Sequence, residues 1–285
     1  MSGAADLRAR AEGLAAPLPA LLAGAERLAS TVQTGLHGRR RAGAGEAFWQ
    51  FRPAEPRDGM RGIDWRRSAR GDDLFARERE WQVAQVVQVW VDPGPGMGFA
   101  SGDVTKAQRA QELALAVAIL AARGGERIGP LDPTPPRGGE TQVTRLATRL
   151  VDGVSLDPVH VRPHGRLALL GDFLGDLAPV EAVLTEAAAR GVKGVLCQVL
   201  DPDEVQFPYK GRTIFEDMTG TPQHETLKAD GLRDRYLERL AQRQADLRRL
   251  AERTGWQVLT HRTDTPAAEA LLWMMRALGP EGASC

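Results

Sequence analysis

The stretch that decides the fold is VAQVVQVWVDPGPG, residues 83–96. β-Branched apolar residues dominate its first part, which is typical of a strand covered on both faces of a sheet. Asp92 ends the strand, the following glycines and prolines predict a loop, and a helix that is apolar almost all round is predicted from about Thr105 to Ala122. A strand, a loop and a buried helix in this order begin a βαβ unit.

The same alternation continues along the chain. Further strands are predicted at 126–129, 166–170, 194–200 and 256–260, with helices at 141–151, 177–190 and 231–254 and a last helix capped by Thr265. This order predicts an α/β fold, a mostly parallel sheet with helices on both faces. Between Leu200 and Gly231 the alternation stops, and strand-like pieces at 205–207 and 212–216 predict an inserted β-hairpin.

The N-terminal third has a different character. An Ala- and Leu-rich pattern over 4–32 is interrupted by Pro17 and Pro19, which predicts two short helices. Aromatic residues at 48–51 and a long extended stretch over 74–91 predict strands. We therefore expect an N-terminal helical segment over 1–34, an Arg/Asp/Trp-rich β extension over 35–83 that packs on the sheet, and a main domain over 84–285.

Composition limits the classes of function. The chain has 285 residues and a formal net charge of zero, so the whole molecule has no long-range field to attract nucleic acid. Cys197 and Cys285 build neither a disulfide framework nor a zinc spacing, which favours a reducing compartment. The longest apolar run, 113–122, is about half the length of a bilayer span. We expect a cytoplasmic protein without an integral membrane segment.

Three predicted strands end in aspartate, at Asp92, Asp172 and Asp201. Because the carboxyl ends of parallel strands meet at one edge of the sheet, these carboxylates could hold a divalent cation there. That interpretation predicts a metal-dependent hydrolase or nuclease, with phosphate held by Arg39–Arg41. The other interpretation is that each aspartate only caps a turn or a helix. No GxxxxGK[ST] phosphate loop and no GxSxG motif occurs in the sequence.

The segment FWQFRPAEPRDGMRGIDWRRSARGDDLFARERE, residues 48–80, is unusually rich in charge. Its six arginines between 52 and 70 are interleaved with acidic residues and a tryptophan, which indicates forked ion pairs around an indole. The residues of interest are Arg52, Asp58, Arg61, Asp64, Trp65 and Arg70. They either dock a partner or only stabilise the fold.

These residues, followed by a charged strand, an apolar strand and Asp92, resemble the bacterial domain-of-unknown-function family 58. Further matches are GERIG at 125–129, LLGDFL at 169–174, DPDE at 201–204 and FED at 215–217. The resemblance covers roughly 35–278. It implies a von Willebrand factor A-like, Rossmann-like fold, and a partnership with MoxR-type AAA+ ATPases in assembly or envelope-related processes.

The metal-ion-dependent adhesion site of such folds follows the pattern Asp-x-Ser-x-Ser. Here Asp92 is followed by Gly94 and Gly96, so both hydroxyl ligands are missing, and Gly171 precedes Asp172 where a serine is common. Mg²⁺ requires a nearly complete octahedron of oxygens. We therefore expect a degenerate site that binds Mg²⁺ weakly at most, and no cofactor.

The sequence contains no recognisable set of catalytic residues. We therefore expect a non-enzymatic protein-interaction module. The expected contacts are the degenerate site, which comprises Asp92, Gly94, Gly96 and Asp172, and the inserted hairpin around Tyr209 to Asp217. The expected partner is a MoxR-type AAA+ ATPase. The alternative remains the metal-dependent hydrolase or nuclease that uses Asp92, Asp172 and Asp201.

Overall fold

A computed structural model describes residues 2–16, 48–54, 63–69, 73–79, 84–209, 213–216, 222–226 and 230–279. The chain divides into two compact units, Met1–Ala25 together with Gln85–Cys285, and Glu26–Ala84. In chain order the elements are α1 (Ser2–Ala15), β1 (Phe48–Pro53), α2 (Trp65–Ser68), β2 (Phe75–Arg79), β3 (Val86–Val91), α3 (Lys106–Arg123), β4 (Arg127–Pro130), α4 (Glu140–Asp152), β5 (Arg166–Gly171), α5 (Ala178–Ala189), β6 (Lys193–Leu200), α6 (Pro202–Gln206), β7 (Thr213–Glu216), β8 (Pro222–Thr226), α7 (Asp230–Thr254), β9 (Gln257–Arg262) and α8 (Ala267–Leu278).

The larger unit is built on a parallel sheet of five strands in the order β4-β3-β5-β6-β9. The two faces of this sheet carry separate apolar cores. Helices α1, α3, α4 and α8 contribute to the core on one face, and α5 and α7 contribute to the core on the other. The predicted α/β fold with a parallel sheet between two helical layers is therefore confirmed, and it is consistent with a Rossmann-like arrangement of the von Willebrand A type.

Helix α1 ends before Pro17 because proline cannot continue a helix. It packs against α3 and α4, and Leu7 and Ala11 lie fully within the core beneath it. The second predicted N-terminal helix lies outside the described residues.

The smaller unit contains the antiparallel pair β1–β2 and the single turn of helix α2. The backbone N–H of Asp64 donates to the carbonyl oxygen of Phe75 at 2.7 Å, and the Ser68 hydroxyl accepts from the N–H of Phe75 at 2.9 Å. These bonds fasten α2 to the start of β2. The prediction that this segment packs on the main sheet stays a prediction.

Three predictions about local structure were wrong in detail. The stretch 74–91 forms two strands that belong to different sheets, β2 and β3. The predicted hairpin strand at 205–207 overlaps the end of helix α6, and β7 pairs instead with β8. Helix α8 receives no side-chain cap, since the Thr265 hydroxyl donates to the carbonyl oxygen of Arg262.

Across the described ranges, no helix combines the length and the apolar character needed to cross a bilayer.

Candidate functional site

The three predicted strand-end aspartates all accept a hydrogen bond from the backbone N–H two residues further on. Asp92 accepts from Gly94 at 2.8 Å, Asp172 from Leu174 at 3.0 Å, and Asp201 from Asp203 at 2.9 Å. This is the turn-capping geometry that short acidic side chains favour. The capping interpretation therefore holds at each of these positions.

A fourth aspartate, which the sequence analysis missed, repeats the pattern after β4. Asp132 accepts from the N–H of Thr134 at 2.7 Å, and its other oxygen accepts from Nε and a terminal nitrogen of Arg149 at 3.0 and 2.7 Å. The sequence contained a signal for Asp132, because this residue follows Leu131 directly after the end of β4. Burial opposes ionisation of Asp132, but the bonds from Arg149 and Thr134 prevail and lower its pKa.

The centre of the site is a residue that sequence reasoning did not select, Lys106 at the first turn of α3. Its side chain is 1% exposed, and its Nζ atom donates to Oδ2 of Asp172 at 2.8 Å and to Oε1 of Glu204 at 2.6 Å. Burying an ammonium requires paired and hydrogen-bonded partners. A lysine in the first turn of a buried helix, in a chain with four lysines in all, was the signal that could have found it.

A hydrogen bond at the start of α6 fixes the position of the Glu204 side chain. Its Oε2 atom accepts from the backbone N–H of Asp201 at 2.9 Å, while the Asp201 carboxylate accepts from the backbone N–H of Asp203 at 2.9 Å. This is a capping box. The second Asp201 oxygen accepts from the N–H of Ser101 at 2.8 Å, so both of its oxygens are bound to backbone. Asp201 is therefore a structural cap that joins α6 to the loop before α3.

We call the group formed by Asp92, Lys106, Asp172 and Glu204 the crest cluster. These four residues line one cavity of about 430 Å³ at the carboxyl ends of β3 and β5. Asp92 and Asp172, two of the three predicted strand-end aspartates, therefore lie at the same cavity. Asp201 is fully buried, and it does not contribute to the lining of the cavity.

Burial disfavours charge on two carboxyls of the crest cluster. It raises the pKa of Asp92, a rise that the bond from Gly94 opposes and the negative charge of Asp172 adds to. It also raises the pKa of Glu204, against the lowering influence of the Lys106 ammonium. The Lys106 ammonium pairs with two of the three carboxyls of the cluster, Asp172 and Glu204.

The glycines of the degenerate metal site lie directly against these carboxylates. A Cβ atom on Gly94 would be 2.9 Å from Oδ1 of Asp92, one on Gly96 would be 3.1 Å from Oδ2 of Asp172, and one on Gly171 would be 2.9 Å from the Cβ of Asp92. Contacts below about 3.0 Å require neighbouring atoms to move. A side chain at any of these glycines would therefore require the neighbouring aspartate to shift.

Aromatic side chains adjoin the crest cluster on the side of α6. The ring centroid of Phe207 lies 4.9 Å from that of Tyr236 on α7, with the rings tilted by 33°, and 5.3 Å from that of Tyr209, which it meets edge-on. Phe207 adopts a left-handed backbone with φ of 46°. Burial, with the charge of Glu204 adding to it, raises the pKa of the Tyr236 phenol. Tyr209 belongs to the contact surface that was expected around the hairpin. The other side chains of that surface, at 210–217, lie outside the described part of the chain.

The arginine-rich segment is described in part. Asp64 is buried at 6% exposure, whereas the Trp65 side chain that follows it is 53% exposed. Arg52 belongs to strand β1. Asp58, Arg61, Arg70 and the triplet Arg39–Arg41 lie outside the described residues. The ion pairs expected around the indole stay a prediction.

Within the described part of the chain, no group of three or more His, Cys, Asp or Glu side chains is arranged to hold a metal ion. In the crest cluster the position between Asp172 and Glu204 is taken by the Lys106 ammonium. The weak metal binding expected from the sequence stays a prediction.

Comparison with known families decides the membership of the chain. The sequence pattern of the family described as "Protein of unknown function DUF58" matches residues 50–246, which is well over half of the chain. The chain belongs to the DUF58 family. The resemblance to this family is thereby confirmed, and the matched region of the DUF58 protein extends from β1 into α7 and includes the whole crest cluster.

Relatives of this DUF58 protein occur in mycobacteria. Uncharacterized proteins of Mycobacterium bovis and Mycobacterium tuberculosis are 26% identical over 245 residues, which is 78% of this chain and 76% of theirs. An uncharacterized protein of Mycobacterium avium is 33% identical over 104 residues, covering 36% of this chain and 60% of its own. No solved structure matches the chain significantly.

Proposed function

We propose that this DUF58 protein is a non-enzymatic protein-interaction module that works as an adaptor. The main support for this proposal is that the side chains at the crest bind one another or the backbone of the same chain. Lys106 is shared by Asp172 and Glu204, and Asp201 caps α6. A general base or nucleophile needs a free, poised group beside a substrate position. Among the described residues, Asp92 is the acidic member of the cavity lining that forms no ion pair, and its Oδ1 atom accepts from the backbone N–H of Gly94.

Exposed apolar side chains in the smaller unit also support partner binding. Trp65 and Leu74 are large apolar residues of this unit, and they are 53% and 48% exposed. Tryptophan is enriched among the residues that contribute most to protein–protein affinity, because a large rigid ring loses little conformational entropy on binding. Within the IDW motif, which comprises residues 63–65, Asp64 then contributes to stability and Trp65 contacts the partner.

The partner we propose is a MoxR-type AAA+ ATPase acting in assembly or envelope-related processes. Support for this choice comes from the family resemblance, and the chain's cytoplasmic location is part of the same proposal. Each unit has a contact of its own in this proposal, Asp92 at the crest cavity of the larger unit and Trp65 in the smaller unit.

The test is a binding measurement with the purified MoxR-type ATPase from the same genome, by biolayer interferometry. Asp92→Asn and Trp65→Ala should each weaken binding by about tenfold or more. Matched controls are Asp152→Asn, an exposed aspartate at the end of α4, and Val159→Ala, whose side chain is 60% exposed. Absence of binding by the wild-type protein would contradict the proposed partner. Equal weakening by the control variants would contradict the proposed surface.

The metal-dependent hydrolase or nuclease remains the alternative to be tested beside it. Calorimetry of the wild-type protein with Mg²⁺ and Mn²⁺ separates the two. Tight binding that Asp92→Ala abolishes, together with cleavage of a phosphodiester substrate, would favour the hydrolase and remove the basis for an adaptor.

A further inference from the structure

A buried cation already lies at the point where the acidic side chains of the crest cluster meet. The Lys106 side chain is 1% exposed, and its ammonium contacts Asp172 at 2.8 Å and Glu204 at 2.6 Å. Asp172 and Glu204 are themselves largely buried, with side chains 11% and 15% exposed. Two such carboxylates repel each other unless a positive charge lies between them.

The ammonium joins parts of the chain that are far apart in sequence. Lys106 begins α3, Asp172 follows β5, 66 residues away, and Glu204 lies on α6, 98 residues away. A bound metal ion commonly performs this task, because it draws carboxylates from several segments onto one point. Here one side chain of the protein does so.

We propose that the crest is a cation site whose resident cation is the Lys106 ammonium, so that the site is complete without any metal ion. This inference does not rest on the proposed function, because it concerns the folding and ion dependence of the isolated protein. The ammonium is covalently attached, and it therefore occupies the site at any ion concentration.

The surroundings of the ammonium fit this assignment. An ammonium group has three hydrogen-bond donors, and it is satisfied by a few oxygens at hydrogen-bond distance. Mg²⁺ instead requires six oxygens at about 2.0–2.1 Å. The loop before α3 offers Gly94 and Gly96, which have no side-chain oxygen, and it lies so close that a Cβ at Gly96 would be 3.1 Å from the Asp172 carboxylate. These two positions therefore supply no side-chain oxygen to a coordination shell, and the missing ligands of a metal ion would have to be waters in the cavity.

The experiment combines removal of the ammonium with its replacement by a small amine. Lys106→Ala deletes the cation and leaves a channel to the crest cavity, which Lys106 helps to line. The melting temperature of this variant should fall by about 10 °C, because a buried charge loses its partner. Ethylammonium chloride should restore part of that loss, whereas sodium chloride and tetramethylammonium chloride at equal ionic strength should not. Lys193→Met, which removes an exposed lysine at the start of β6, is the control and should show neither effect.

Two further measurements keep the inference testable if Lys106→Ala does not fold. Lys106→Met combined with Glu204→Gln removes the cation together with one carboxylate, and it should melt higher than Lys106→Met alone. The wild-type protein should keep its melting temperature in a chelator and in added Mg²⁺ or Mn²⁺. The inference is overturned if Mg²⁺ stabilises the wild type but not Asp172→Asn, if ethylammonium is no better than sodium, or if the double variant melts no higher than Lys106→Met.

Discussion

Oε1 of Glu204 lies 2.6 Å from Nζ of Lys106, while Oε2 of the same carboxylate accepts the backbone N–H of Asp201 at 2.9 Å. One side chain thus links the first turn of α3 to the capping box of α6. Since α6 begins the insertion between β6 and α7, this link anchors the described start of that insertion to the sheet. The relationship predicts how the members of the crest cluster differ in their contribution to stability.

Lys106→Met should lower the free energy of unfolding more than Glu204→Gln. The first change leaves two buried carboxylates without their cation, which costs about 3–5 kcal/mol. The second leaves the ammonium paired with Asp172, and about 1 kcal/mol is expected. Urea denaturation of both variants measures the difference, with Glu238→Gln on the exposed face of α7 as the control. Equal losses for the two variants would show that the cation is not shared.

His261 on β9 should make the protein sensitive to mild acid. Burial, with the charge of Arg109 adding to it, lowers the pKa of His261 to about 4. Nδ1 lies 3.2 Å from the Thr265 hydroxyl, and the buried Nε2 has no hydrogen-bond partner among the described residues. Because the folded pKa lies below the unfolded value, the stability that depends on neutral His261 is fully present above pH of about 6.5 and declines as the pH falls towards 4.

His261→Gln should therefore reduce the loss of unfolding free energy between neutral pH and about pH 4, by up to about 3 kcal/mol. Urea denaturation at a series of pH values measures this slope. The control is His164→Asn, at an exposed histidine whose left-handed backbone asparagine tolerates. An unchanged slope in His261→Gln would mean that other groups cause the acid sensitivity.

Gly194→Ala should destabilise the protein by at least about 3 kcal/mol, because two rigid neighbours leave no space for a methyl group. A Cβ atom at Gly194 would lie 2.2 Å from the carbonyl oxygen of Leu167 and 2.6 Å from the ring of Trp256. Gly102→Ala is the control, since nothing lies within 4 Å of its Cβ position, and it should change stability by less than about 0.5 kcal/mol. Circular dichroism during urea denaturation compares the two.

Asp64→Asn and Trp65→Ala should separate the two roles of the IDW motif. Asp64 is buried, so removing its charge should lower the free energy of unfolding by about 1–3 kcal/mol and leave the affinity for the partner unchanged. Trp65 is half in water, so its removal should change stability by less than about 1 kcal/mol and weaken binding. Calorimetric melting and interferometry measure the two quantities. If both variants lost stability and neither lost affinity, the motif would have a purely structural role.

Sequence pattern predicted most elements of the main domain, because strand and helix periodicity is a local property. Helix α3 was predicted from Thr105 to Ala122 and spans Lys106–Arg123, and β5 and β6 agree within one residue at each end. The strand predicted at 205–207 is wrong because a helix-start signal lies just before it. Asp201, Pro202 and Glu204 have the spacing of a capping box, yet the apolar residues that follow were taken for a strand.

By itself, the sequence determined that parallel strands alternate with helices and that Asp92 and Asp172 meet at one edge of the sheet. It also showed that Gly94 and Gly96 bring no hydroxyl ligands to that edge. Only the tertiary structure decided that Lys106 lies between Asp172 and Glu204, and that Trp65 faces water while Asp64 does not. The physical reason is that periodicity acts between neighbours in the chain. A buried ion pair across 66 or 98 residues exists only once the sheet has brought its partners together.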